Sequence, residues 1–139
     1  MRIGIDARFY GPIGKGLGRY TQEVVDNIMK ITSAEDGAGF NYVIFLSPEN
    51  FDEFDGGSDR VKKVKLPCRW YSFKEQLIMP FYLWRERLDI IHYPHFNVPI
   101  FTPGPFVVTI HDLILTHFPT LRATTRNRFI YRLKDWSYR

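Results

Sequence analysis

Short apolar runs that break off at a polar or glycine-rich tip constrain the fold of this chain more than any other feature. R-I-G-I is followed by Asp6, D-I-I by His92 and Tyr93, and F-V-V-T-I by His111 and Asp112. After the first run comes a loop with glycines at 11, 14, 16 and 18. Segments with helical spacing separate the runs. Strands that alternate with helices predict an α/β fold with a mostly parallel sheet, doubly wound so that helices cover both faces. Ligands of such sheets gather beyond the carboxyl ends of the strands, where loops and helix starts converge. The reactive side chains of this chain therefore fall on one rim of one sheet.

A length of 139 residues suits one domain. The composition, 45% hydrophobic and 17% aromatic, supplies a full core and excludes disorder. No apolar run reaches the roughly 18 residues that a membrane-spanning helix needs. Met1 to Asp6 reads as a strand and not as a secretory leader, since an acid interrupts it. The single cysteine, Cys68, excludes an internal disulfide and a multi-cysteine metal site, and a cytoplasmic protein is expected. The net charge of +4 is uneven: residues 119–139 hold six basic residues and one acid, and the remainder sums to −1. Charge alone makes phospholipid headgroups, phosphorylated substrates and nucleic acid counterparts for that tail.

Residues 2–9 are expected to form the first buried strand. A helix follows from about Arg19 to Ile31, with Tyr20, Val24, Ile28 and Ile31 as its apolar face. Residues 32–39 read as a turn. Asn41 to Ser47 is a second strand, too apolar for an edge facing water. The acidic stretch 48–60 reads as a surface loop, and Val61 to Leu66 as a peripheral third strand. Ser72 and Glu75 have capping-box spacing. They open a helix with a stripe of Leu77, Ile78, Phe81 and Leu88, which Pro80 should kink. Asp89 to Tyr93 and Phe106 to Ile110 are expected as two more central strands. A last helix begins near Arg122 with Phe129, Ile130, Leu133 and Trp136 on one face. It reaches Arg139 without a stop signal, which suggests a fragment of a longer protein.

Several groups could carry chemistry. Gly14, Gly16 and Gly18 open a helix, where free backbone N–H groups and the helix dipole favour an anion. Lys15 and Arg19 add positive charge; the alternative is a merely mobile loop. The spacing G-x-G-x-G does not match the dinucleotide fingerprint G-x-G-x-x-G. His111 either faces a cleft, as a donor to substrate or a catalytic base, or bonds to backbone while Asp112 caps a turn. His92, Tyr93 and His95 surround Pro94; rim packing is favoured over a metal, because no carboxylate or cysteine stands at ligand spacing. Asp6 reads first as a loop-fixing hydrogen bonder, and Asn97 as a turn residue. In the tail, Arg126, Arg128, Arg132 and Trp136 form either a solvated face or a contact with an anionic membrane.

The motifs M-R-I-G-I-D-A-R, G-L-G-R-Y-T-Q-E-V, K-E-Q at 74–76, D-I-I-H-Y-P-H-F-N-V-P at 89–99 and V-V-T-I-H-D-L at 107–113 span nearly the whole chain. In order and approximate spacing the chain resembles the N-terminal domain of family-four retaining GT-B glycosyltransferases. The resemblance implies a Rossmann-like acceptor-side half over residues 1–139 and a missing C-terminal half that binds the nucleotide sugar. It places Gly14, Lys15, Gly16, Gly18 and Arg19 near the donor's phosphates and His111 facing the transferred sugar. Asp6, His92, Tyr93, His95, Asn97 and Asp112 would line the acceptor side. Such enzymes are usually metal-independent, so no cofactor is expected beyond a nucleoside-diphosphate sugar as co-substrate. The implied partners are the second domain, a glycan or lipid-linked acceptor and the inner face of the cell membrane, but not nucleic acid. This half alone should transfer little, because catalysis needs donor, acceptor and stabilising charges held together. Two other classes compete: a non-enzymatic α/β module binding an anionic partner through its basic tail, and a flavodoxin-like nucleotide binder.

Overall fold

The computed structural model describes residues 1–33 and 39–112. The chain divides into two compact units, Met1–Thr109 and Ile110–Arg139. The sheet and both described helices belong to the first. Its elements are β1 (Arg2–Asp6), α1 (Lys15–Ser33), β2 (Asn41–Leu46), β3 (Val61–Lys65), α2 (Glu75–Glu86), β4 (Ile90–Tyr93) and β5 (Phe106–Val108). The strands form one sheet in the order β3-β2-β1-β4-β5. Every pairing is parallel: Ile5 lies opposite Ile44 on one side and His92 on the other, and Tyr93 opposite Val108. This is the expected Rossmann-like α/β architecture.

Alternation along the strands sends side chains to two cores. Ile5, Ile44 and Leu46 pack with Val25 of α1 on one face, while Val43, Phe45, Val64, Ile91 and Tyr93 pack with Met79 and Leu83 of α2 on the other. Helices thus cover both faces. The chain adds β2 and β3 on one side of β1, then returns to place β4 on the other. The reversal opens a crevice between the carboxyl ends of β1 and β4, the place where ligands of such sheets collect.

Several boundaries differ from the sequence reading, each for a local reason. β1 ends at Asp6 rather than residue 9, because the Asp6 carboxylate accepts the Arg8 N–H and turns the chain out of the sheet. A 3-10 turn at Pro12–Gly14 then leads into α1 four residues before Arg19. Ile31 is exposed, and the buried face of α1 carries Thr21, Val25 and Thr32. Thr21 and Thr32 are tolerated inside because their hydroxyls donate to the carbonyls of Leu17 and Ile28. The stretch 48–60 is not all surface: Phe54 and Asn50 are buried. β5 pairs only with β4 and stands at the end of the described sheet, not in its centre.

α2 departs furthest from expectation. Its inward residues are Glu75, Met79, Leu83 and Glu86, whereas Leu77 and Phe81 face outward. Glu86 is held by Arg2 at 2.6 Å and Lys62 at 2.6 Å. Burial pushes the Glu86 carboxyl up, but those two cations outweigh it and hold it below the ordinary range. The helix ends on Arg87 in the left-handed conformation.

The glycines of the first turn separate by what surrounds them. A Cβ on Gly18 would overlap the carbonyl oxygens of Gly11 and Phe9, while one on Gly16 would meet nothing within 4 Å. Gly18→Ala is therefore expected to lower unfolding stability by about 1–3 kcal/mol. Gly16→Ala should be neutral or raise it by up to about 1 kcal/mol, as alanine replaces a helical glycine. Urea unfolding of the two variants checks the contrast.

Candidate functional site

The crevice is built around a buried cation. Arg8 and Glu75 have no solvent exposure, and Asp6 is 4% exposed. Arg8 donates from Nε to Asp6 Oδ1 at 2.8 Å and from one terminal nitrogen to Asp6 Oδ2 at 2.7 Å and Glu75 Oε1 at 2.5 Å. The Asn97 side-chain amide donates to the same Glu75 oxygen at 2.6 Å, and the Tyr71 N–H donates to the other at 2.7 Å. Burial works against the Arg8 cation, but the two carboxylates overcome that and hold it charged. Among the described residues, the other terminal nitrogen of Arg8 has no hydrogen-bond partner. Burial pushes the nearby Cys68 thiol up, with Arg8 pulling the other way.

This network joins three segments: the exit of β1, the turn before α2 and the segment after β4. Ser72 and Glu75 make half of the expected capping box, the Glu75 N–H donating to Ser72 Oγ at 3.2 Å. The Glu75 carboxylate is drawn inward by Arg8 instead of completing it. From the β2–β3 connection, the Asn50 side-chain amide reaches the carbonyls of Ala7, Arg8 and Tyr10 at 3.0–3.2 Å. The exit of β1 is thus fixed through both its side chains and its backbone.

Aromatic rings line the outer part of the same region. Phe9 lies 4.6 Å from Trp70 and 5.4 Å from His95 between ring centroids, and His95 lies 4.0 Å from Phe96. The Asn97 N–H donates to His95 Nδ1 at 3.2 Å, and the Tyr71 hydroxyl stands 3.1 Å from the same nitrogen. Phe9 also carries the carbonyl that packs against Gly14 and Gly18, so this ring group and the glycine turn share a backbone neighbour.

At the tips of β4 and β5, His92 Nε2 pairs with Thr109 Oγ1 at 2.9 Å, and Thr109 Oγ1 lies 3.4 Å from the Tyr20 hydroxyl of α1. Burial pushes the His92 imidazole below its ordinary pKa, against the pull of Asp6, so the ring favours its neutral form. Tyr93 points to the opposite face, into the α2 core, with its hydroxyl on Thr102 at 3.0 Å. Burial raises its pKa.

The predicted residues accordingly fall into groups. Asp6 and Asn97 meet in the buried network, His92 and His95 stand on the segments flanking it, and Gly14, Lys15, Gly16, Gly18 and Arg19 form the turn and first helical turn of α1. Lys15 holds a positive φ of 51° where the 3-10 turn becomes α1. His111 and Asp112 belong to the second unit. Arg126, Arg128, Arg132 and Trp136, with the last helix, lie outside the described residues. Sequence reasoning missed Arg8 and Asn50 and registered Glu75 only as a cap and a motif position. The one available signal was a cation two residues beyond an acid at a strand tip.

Among the described residues, no three His, Cys, Asp or Glu side chains converge to hold a metal ion. No helix there is long and apolar enough to cross a membrane. No model of a known protein family matches the chain, nor does a curated protein or a solved structure.

Removing the cation should unsettle the whole region. Arg8→Met leaves two buried carboxylates facing each other and is expected to cost about 3–5 kcal/mol, part of which Arg8→Met/Glu75→Leu recovers. Equilibrium unfolding of the single and double variants measures this. His92 gives a pH signature. Its folded pKa lies below the unfolded value of 6.5, so its contribution is complete above that pH and is lost as pH falls through the depressed folded value. The melting temperature should decline on acidification below pH 6.5, and less steeply in His92→Asn.

Proposed function

We propose that this chain is the acceptor-side half of a retaining glycosyltransferase that moves a hexose from a nucleoside diphosphate to a glycan or lipid-linked acceptor. The donor-binding half is supplied outside residues 1–139. The observation that carries the proposal is the placement of the glycine turn. It leaves the carboxyl end of β1 at the reversal of strand order and opens a 19-residue helix on which Gly16 is uncovered. Gly14 and Gly18 are accounted for by packing against Phe9 and Gly11; Gly16 is not. An uncovered glycine at a helix start lets a diphosphate approach backbone N–H groups closely, where the helix dipole favours negative charge. Lys15 and Arg19, both exposed, add attraction.

In this proposal the buried Asp6–Arg8–Glu75–Asn97 network does no chemistry itself. It holds the acceptor-side wall, with His95 and its ring neighbours, at a fixed distance from the turn. Preorganisation of that kind supports catalysis, because misplacement of a reacting group by about 1 Å costs about a hundredfold in rate. His92 takes part as a neutral hydrogen-bonding group, and the family resemblance assigns His111, in the second unit, to the sugar being transferred. Transfer takes place in the cytoplasm at the inner face of the cell membrane.

Two variants test the proposal in the protein that carries this domain, assayed with a panel of uridine, guanosine and adenosine diphosphate hexoses. Gly16→Ala should lower kcat/KM by about tenfold or more without lowering the melting temperature, because only the approach of the diphosphate is blocked. His111→Ala should lower kcat by about tenfold or more. Unchanged rates in both, or no transfer by the parent protein from any donor of the panel, would refute it.

A further inference from the structure

The outward face of α2 is apolar where a water-facing helix would be polar. Leu77 is 72% exposed, Phe81 55% and Trp84 70%, and Phe73, one turn before Leu77, is 72% exposed. At 100° per residue Leu77, Phe81 and Trp84 fall within a quarter of the helical circumference, opposite Glu75, Met79, Leu83 and Glu86, which face the sheet, and Phe73 lies in the turn just before the helix. The Ile100 N–H donates to the Gln76 side chain at 2.9 Å, which brings the exposed Ile100 and Phe101 beside the first turn of the same helix. Apolar residues scattered singly over a surface need no explanation, but a contiguous stripe marks a contact.

The charges beside the stripe say which contact. Both acids of α2 are turned inward and paired, Glu75 with Arg8 and Glu86 with Arg2 and Lys62. The Asp89 carboxylate is engaged by the Arg2 N–H at 2.7 Å. The exposed charges of the helix and its cap are Lys74, Arg85 and Arg87, all positive. Arg85 is half-exposed, 4.5 Å over the Tyr82 ring and 3.7 Å from Glu86. An in-plane interfacial helix has this make-up: Phe, Leu and Trp enter the boundary of the acyl chains while Lys and Arg meet anionic headgroups.

We infer that the outward face of α2, from Phe73 to Trp84, docks the domain onto an anionic lipid bilayer. The inference supplies a surface for the membrane association included in the proposed function, but no sugar donor enters its test, so the two can fail separately. Co-sedimentation of the full chain with phosphatidylglycerol–phosphatidylcholine vesicles, and with phosphatidylcholine vesicles alone, measures it. The parent should bind the anionic vesicles in a salt-sensitive manner and the neutral ones at least about tenfold more weakly. Leu77→Ser/Trp84→Ser, at side chains 72% and 70% exposed, should keep the parent's circular dichroism and melting temperature and lose about tenfold or more of the binding. Lys74→Glu/Arg85→Glu should weaken binding and flatten its salt dependence. The inference is overturned if the parent ignores anionic vesicles, or if the stripe variant binds as the parent does. It is equally overturned if only the tail variant Arg126→Glu/Arg128→Glu/Arg132→Glu loses binding, or if the stripe proves to join two copies, shown by a parent dimer that Leu77→Ser/Trp84→Ser dissociates.

Discussion

One buried guanidinium organises this domain. Arg8 lies just beyond the first strand without any exposure, and its charge is tolerated because Asp6 and Glu75 face it at hydrogen-bond distance. Stripping water from three charged groups is expensive, and their attraction offsets the cost only while the geometry is kept. The network therefore contributes position more than net stability. It joins segments that no sheet hydrogen bond connects, and Asn50 adds a second restraint on the same turn from the far side of β2. The loop that follows starts from a fixed point, although it is long for a connection between a strand and its helix.

That fixed start gives the glycines separate tasks. Gly14 and Gly18 are small because carbonyl oxygens of Phe9 and Gly11 press against them. The loop is held onto its own backbone, which argues against a merely mobile connection. Gly16 has open space instead, and the helix it opens carries no acid in its first turn. A site for an anion needs both properties: backbone close enough to touch, and no fixed negative charge competing with the ligand.

The layered architecture was legible because its signals are local. Short apolar runs in R-I-G-I-D and N-Y-V-I-F-L mark strands, and a two-sided apolar strand such as β2 has to be central. The core of the candidate site was not legible. Arg8 and Glu75 stand 67 residues apart in sequence, and nothing local in I-D-A-R or K-E-Q shows that one neutralises the other. Asn50 was hidden similarly, inside a stretch whose acids and glycines read as surface. Periodicity also misled at α2. It finds an apolar stripe but not which way the stripe faces, and here both sides of the helix are rich in apolar residues.

What sets the rotation of α2 is electrostatics. Glu75 and Glu86 are eleven residues apart, about three helical turns, so they share one face. Arg8 holds the first, and Arg2 with Lys62 holds the second. Turning the helix by half a revolution would bury Leu77, Phe81 and Trp84 but would expose Met79 and Leu83, a net apolar gain of one large side chain, about 1.5–3 kcal/mol. The same rotation would leave Arg8 buried beside Asp6 alone and would unpair the other acid, at several kcal/mol per uncompensated ion. The charged pairs win because leaving ions on both ends of the helix uncompensated costs more than one additional buried side chain returns. The outward stripe of aromatic and aliphatic side chains follows from that choice: the interactions that fix the crevice at the head of α2 are the ones that force a sticky face onto its back.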